Sequence, residues 1–204
     1  MRLTPDLLLS AYCQGLFPMA EERDGKIDWF SPDPRAIQPF LEGDPLGSFH
    51  LKRSLARQVR KKRFDITSDQ CCARVVNACA TVPRPAGAGT WINREIEEVF
   101  DTLHDQGFAH SVEAWLGSEL VGGIYGVTIG GAFFGESMFS TEPYASQVCY
   151  VWLIEHLRKR GYKLFDVQFT NPHIEQFGVV EIPIDTYLGL LEQAVLAEIF
   201  WQDD

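Results

Sequence analysis

Asp166 and Gln168 stand two residues apart in the otherwise apolar run LFDVQF. On a strand that spacing sends both side chains to one face with Leu164, while Phe165, Val167 and Phe169 turn to the other layer. Two polar groups in what reads as a central strand sacrifice core packing, so they are either a satisfied structural pair or part of a site. Glu136, in GESMFS, is a second carboxyl within an apolar and aromatic stretch, and the same two readings apply. Trp91 follows a Pro/Gly-rich segment and reads first as a core residue, second as a stacking platform. The chemistry open to such groups is orientation by hydrogen bonds and stabilisation of charge. No Ser/His/Asp or Cys/His order stands out among the five histidines, each of which alone reads as structural.

Charge supplies a second feature. The chain carries a net −10, which argues against nonspecific binding to nucleic acid or anionic membranes. Between Lys52 and Arg63, however, there are seven basic residues and no acidic one. Arg53, Arg57, Arg60 and Lys61 fall on one helical face, with Leu51, Leu55 and Val59 on the opposite one. A solvated face is the plain alternative. Unpartnered like charges at this spacing cost a few tenths of a kcal/mol each, so the pattern points to a polyanion bound along a short phosphate track.

These residues need elements to hold them. Thr4-Pro5-Asp6 starts a helix that Gly15 closes. Residues 17–47, with five prolines, read as a small irregular lobe with short strands. The basic helix, a strand at Phe64–Thr67 and a helix capped by Ser68 or Asp69 and running to Ala80 follow. A Pro/Gly-rich loop covers 81–90, and Asn93 caps a helix that Gly107 ends. Three strands, Ala109–Leu116, Glu119–Ile129 and Ala132–Phe139, precede a helix over Ala145–Arg160, a strand over Lys163–Phe169 and a last helix over Asp185–Ile199. The first two strands join at Gly117-Ser118, a hairpin turn. Strand glycines at 122, 123, 126, 130, 131 and 135 mark bulges, close backbone approach or sheet curvature.

This order predicts an α+β fold with a mixed, mostly antiparallel sheet, on the plan of the GNAT acyltransferases. A small N-terminal lobe (1–47) would precede a GNAT-like catalytic domain (48–204). With 204 residues, 46% apolar and 23% charged, the chain has the composition of an ordinary globular protein, which excludes disorder, coiled coil and collagen. The longest uncharged, mostly apolar run, 120–135, is shorter than the roughly 20 residues of a membrane helix. No signal peptide is read at the N-terminus, so the expected location is the cytoplasm. Five cysteines without a CxxC pair read as free thiols, and no Cys or His spacing suits zinc. Neither a metal nor a cofactor is expected.

Longer segments carry a resemblance. YCQGLFPM (12–19), WFSPDPRAIQP (29–39), FHLKRSL (49–55), TWI (90–92), HSVEAW (110–115), LVGGIYGV (120–127), FFGESMFS (133–140), FDVQ (165–168) and FGVVEIP (177–183) are similar, in order, to the leucyl/phenylalanyl-tRNA–protein transferase family. The resemblance implies transfer of Leu or Phe from aminoacyl-tRNA to the α-amino group of proteins beginning with Arg or Lys, the N-degron pathway. It implies Asp166, Gln168 and Glu136 as catalytic residues, and Trp91 near the aminoacyl-adenosine end. It further implies Ile124, Phe133 and Leu153 in the side-chain pocket, and Arg53, Arg57, Arg60 and Lys61 on the tRNA.

In that reading the Gln168 carbonyl accepts a hydrogen bond from the attacking amine, and Asp166 orients the Gln168 amide. The alternative is a coenzyme-A-dependent N-acyltransferase on the same fold, against which no Gly-rich phosphate loop opens the helix at Ala145. A noncatalytic RNA- or peptide-binding module is the third reading.

Overall fold

The computed structural model describes residues 2–21, 25–82 and 90–202. Helix α1 (Pro5–Tyr12) begins as its sequence dictates, with Pro5 in the first turn and the Thr4 hydroxyl accepting the Leu7 N–H at 3.3 Å. Strands β1 (Phe17–Ala20) and β2 (Ile27–Phe30) pair as a separate antiparallel ribbon. Strand β3 (Arg35–Ile37) follows, then the basic helix α2 (Arg53–Lys61), β4 (Asp65–Ser68), α3 (Cys72–Thr81) and α4 (Arg94–Asp105). Next come β5 (Ala109–Leu116), β6 (Glu119–Ile129), β7 (Ala132–Ser140), α5 (Ala145–Arg160) and β8 (Leu164–Gln168). The short α6 (Pro172–Glu175), β9 (Val180–Ile182) and α7 (Ile184–Val195) complete the order.

Seven strands form one mixed sheet in the order β4-β5-β6-β7-β8-β3-β9. Every pairing is antiparallel except β7 with β8, whose parallel course needs the crossover that α5 supplies. One core lies between the sheet and α1, α3, α4 and α7; the other lies under α2 and α5. Because both faces are covered, β6 buries eight consecutive residues, 121–128, rather than alternating. The fold is therefore α+β, with a mostly antiparallel sheet. Strand β3, although it precedes Gly47, is an interior strand of the large sheet.

Several sequence expectations shift. Helix α3 starts at Cys72 without a side-chain cap, because the Asp69 carboxylate is used elsewhere: it accepts the Ser111 N–H at 2.8 Å and meets His110 Nδ1 at 2.8 Å. Leu51 precedes α2 and is exposed, so Leu55 is the buried anchor of the basic helix. The last helix ends at Val195, short of Ile199. Most of the expected loop at 81–90 lies outside the described residues. Among the described residues no helix is long and apolar enough to cross a membrane.

Gly122 shows why glycine recurs in these strands. A Cβ there would lie 2.6 Å from the Ala145 Cβ and 2.9 Å from the Ser146 nitrogen, at the start of α5. Gly122→Ala is expected to destabilise the protein by about 1–3 kcal/mol, since the helix must back away from the sheet. Urea unfolding should show the midpoint falling at constant slope. A wild-type midpoint would contradict the close seating of α5 on β6.

Candidate active site

Two irregularities in the sheet build a cleft. Along β6 and β7 the register runs Tyr125 with Ser137 and then Gly126 with Gly135, so Glu136 has no cross-strand partner. It is the extra residue of a β-bulge, a device that ends regular pairing and re-aims a side chain. The β7–β8 pairing, in turn, extends only through Phe134 and Asp166. Beyond that point lies a cavity of about 890 Å³ whose wall includes Trp91, Ile124, Glu136, Met138, Tyr150, Phe165, Val167 and Gln168. Its size and largely apolar wall with a few polar groups are those of a small-molecule site.

Gln168 ends β8 in a left-handed backbone conformation, φ 60°, and Phe169 N–H donates across it to the Val167 carbonyl at 2.7 Å. That three-residue turn breaks the strict alternation of the strand. Gln168 therefore joins Phe165 and Val167 on the cavity wall, while Asp166 remains behind it, fully buried. Asp166 is held there by Arg35, whose Nε and Nη2 donate to its two oxygens at 3.0 and 2.6 Å. The Tyr187 hydroxyl donates to Oδ2 at 2.8 Å and the Gln168 N–H to Oδ1 at 2.9 Å. Arg35 also donates to the Gly15 carbonyl at 3.0 Å and lies 4.6 Å from the ring centres of both Phe17 and Tyr187. Burial opposes its charge, but the Asp166 carboxylate together with the Tyr187 and Tyr12 hydroxyls raises the Arg35 pKa.

Glu136 has a different environment. Its Oε1 accepts the Tyr12 hydroxyl at 2.6 Å and lies 3.5 Å from the Gln168 side-chain nitrogen. Burial pushes its carboxyl up to about 8; the Tyr12 hydrogen bond and the Arg35 charge pull it down, and the Asp166 charge adds to the rise. Two carboxyls thus sit close together in different company, Asp166 in a buried pair with Arg35 and Glu136 against a tyrosine hydroxyl with its pKa raised by burial.

The expected residues are not all brought together. Trp91, Ile124, Glu136 and Gln168 line the cavity. Phe133 and Leu153 are core residues, 1% and 0% exposed, and do not reach the wall; Phe133 instead packs edge-on against Phe165, at 5.2 Å between ring centres. Asp166, which the resemblance implied would orient the Gln168 amide, bonds the Gln168 main chain instead, and the side-chain nitrogen of Gln168 lies 3.5 Å from Glu136. Arg53, Arg57, Arg60 and Lys61 are all exposed along α2. Sequence reasoning missed Arg35, Tyr12 and Tyr187. One signal was available: a carboxylate in an apolar strand requires a buried cation or several donors. Among the described residues, no group of three or more His, Cys, Asp or Glu is placed to hold a metal ion.

An apolar cleft that converges on a carboxyl and a carboxamide, on a fold whose helix α2 turns its basic face to solvent, is an arrangement suited to a group-transfer enzyme. The profile of the leucyl/phenylalanyl-tRNA protein transferases matches residues 45–192, and that of their N-terminal domain matches residues 1–33. The chain belongs to this family. It is 46% identical to the leucyl/phenylalanyl-tRNA–protein transferase of Chlorobaculum parvum over 95% of this chain and 96% of that one. The enzyme of the same name from Novosphingobium aromaticivorans is 49% identical over 94% and 71%. That from Akkermansia muciniphila is 45% identical over 95% and 97%. Among solved structures, L-PGS from Bacillus licheniformis is similar at TM-score 0.43 and 8% identity, over 80% of this chain and 64% of that one.

Proposed function

We propose that this protein, in the cytoplasm, transfers Leu or Phe from aminoacyl-tRNA to the α-amino group of proteins beginning with Arg or Lys. The observation that carries the reading is the convergence of Glu136 and Gln168 on one apolar cleft. The cleft takes the aminoacyl side chain, against Ile124, Met138 and Phe165, with Trp91 toward the adenosine. Arg53, Arg57, Arg60 and Lys61 take the tRNA phosphates. Residues 48–204 then form a GNAT-like acyltransferase domain, for which the parting of the parallel β7–β8 pair over a bulge is the support. Residues 1–47 form a small lobe that is integral to the site, because its Arg35 closes on Asp166.

The aminoacyl ester is already activated, so the task is aminolysis. Holding amine and ester in line supplies much of the acceleration. With its nitrogen directed at Glu136, the Gln168 amide has its carbonyl oxygen available to accept from the attacking amine. The new C–N bond forms as the ester C–O bond breaks, and one proton must leave nitrogen and reach the departing ribose oxygen. An α-amino group has a pKa near 8, close to that of Glu136. Ionised Glu136 is therefore matched to take that proton and return it to the leaving oxygen.

The test is transfer of labelled Leu from leucyl-tRNA to a peptide beginning with Arg, against the same peptide acetylated at its N-terminus. Labelling of the free amine alone is expected. No labelling, with acetyl-coenzyme A supporting acylation instead, would replace the reading with the coenzyme-A alternative. Tyr12→Phe removes the hydrogen bond that favours ionised Glu136. Since that bond lowers the Glu136 pKa, the lower limb of the pH–rate profile should move up by about one pH unit. An unmoved limb would separate Glu136 from the proton transfer.

A further inference from the structure

Asp166 is saturated. A carboxylate offers about four lone-pair sites, and four donors occupy them: Arg35 Nε and Nη2, the Tyr187 hydroxyl and the Gln168 N–H. No acceptor site is left for a substrate amine, and Asp166 does not line the cavity. Its one contact with the reactive end of the strand is the Gln168 main chain. There the backbone adopts a turn of the rarer hand, with φ 60° at Gln168 and the Phe169 N–H donating to the Val167 carbonyl at 2.7 Å. A residue other than glycine holds such a conformation only where its surroundings over-determine it.

We propose that Arg35 and Tyr187 are positioning residues for the transfer reaction: by pinning both oxygens of Asp166, they hold the Gln168 main chain in its left-handed turn and so keep the Gln168 carboxamide in the cleft. This rests on the transferase reading above. Arg35 is itself fixed by the Gly15 carbonyl and by the rings of Phe17 and Tyr187, elements from opposite ends of the chain. Lysine could keep the charge but not the two parallel N–H donors that meet the Asp166 oxygens. Tyr187→Phe removes one hydroxyl from the same carboxylate and leaves the ring in place.

The experiment compares wild type, Tyr187→Phe and Arg35→Lys for transfer from leucyl-tRNA to an Arg-initiated peptide, and for hydrogen exchange at the Gln168 and Phe169 amides. For Tyr187→Phe the expected result is kcat lower by about tenfold with both KM values within about twofold. Exchange at the two amides should accelerate by about tenfold. Arg35→Lys should lose more of both; if it does not fold, Tyr187→Phe alone decides. Folded Tyr187→Phe with wild-type kcat, or a loss confined to KM, would overturn the proposal, as would unchanged exchange. A wild-type protein without transfer activity would remove the transferase reading, and the exchange data would still decide whether Arg35 and Tyr187 hold the turn.

Discussion

Asp166→Ala is expected to abolish transfer and to destabilise the fold by about 3–5 kcal/mol, the usual consequence of leaving a buried charge without its partner. Arg35 and Asp166 are both fully buried, and they meet at 2.6 Å. Removing the carboxylate strands a guanidinium that keeps only the Gly15 carbonyl, a long hydrogen bond of 3.4 Å to the Tyr187 hydroxyl and the rings of Phe17 and Tyr187. For a domain whose total stability is of order 5–15 kcal/mol, much of the protein would unfold at modest urea concentrations. The double variant Arg35→Met/Asp166→Leu separates the two consequences. Replacing both charges with apolar groups of similar volume should recover most of the stability, because the desolvation cost disappears along with the attraction. It should not recover transfer, because nothing then holds the Gln168 N–H. Urea unfolding and the transfer assay read these separately. A double variant as unstable as Asp166→Ala, or one that transfers normally, would contradict the account of this ion pair.

Glu136→Gln is the second large effect. Transfer is expected to fall by about 10²- to 10⁴-fold, the usual worth of a positioned acid–base group. The pH dependence is more diagnostic than the loss. Below pH 7, the wild-type rate at subsaturating peptide requires deprotonation of both the substrate amine and Glu136, so its logarithm should rise with a slope approaching two. In the variant only the amine titrates, and the slope should be near one. A slope of one in both proteins would remove Glu136 from the proton transfer.

Stability carries the same signature. The folded protein keeps Glu136 protonated up to about pH 8, whereas the unfolded chain releases that proton near 4.5. The native state therefore binds the extra proton between those values, and stability from this group is fully present below 4.5 and lost as pH rises through 8. The displacement corresponds to about 5 kcal/mol across the window. Glu136→Gln should flatten this decline, so the variant should gain on wild type as pH is raised from 5 to 9. Unfolding midpoints at several pH values test it; parallel pH profiles would show that Glu136 is already ionised at low pH.

Much of this was legible in the residues. The strands at 109–116, 119–129 and 132–140 and the helix at 145–160 follow from local signals: hairpin turn residues, apolar continuity and a closing glycine. Asn93 caps α4 through the Ile96 N–H at 2.9 Å, a bond between near neighbours that spacing alone predicts. Failures occurred where a residue had a distant use. Asp69 does not cap α3, since its carboxylate is committed across to β5. Strand β3 was hidden in a proline-rich stretch because only three of its residues pair, with strands more than 100 residues away.

The candidate site divides in the same way. Residue type and spacing determined by themselves that Asp166, Gln168 and Glu136 were costly to bury and needed a reason to be there. They also determined that the basic residues of α2 share one face, since helical geometry is local. Only the tertiary structure decided which partners each carboxyl meets. Asp166 and Glu136 differ in the company the fold supplies, a guanidinium from residue 35 in one case and a tyrosine from residue 12 in the other. What a buried carboxyl can do depends on the groups a few ångströms away, and here the nearest donors from elsewhere in the fold come from parts of the chain more than 100 residues distant. At the turn of Gln168, likewise, the Asp166 carboxylate that accepts its N–H is only two residues away, but the Arg35 and Tyr187 donors that meet that carboxylate are encoded by no local pattern.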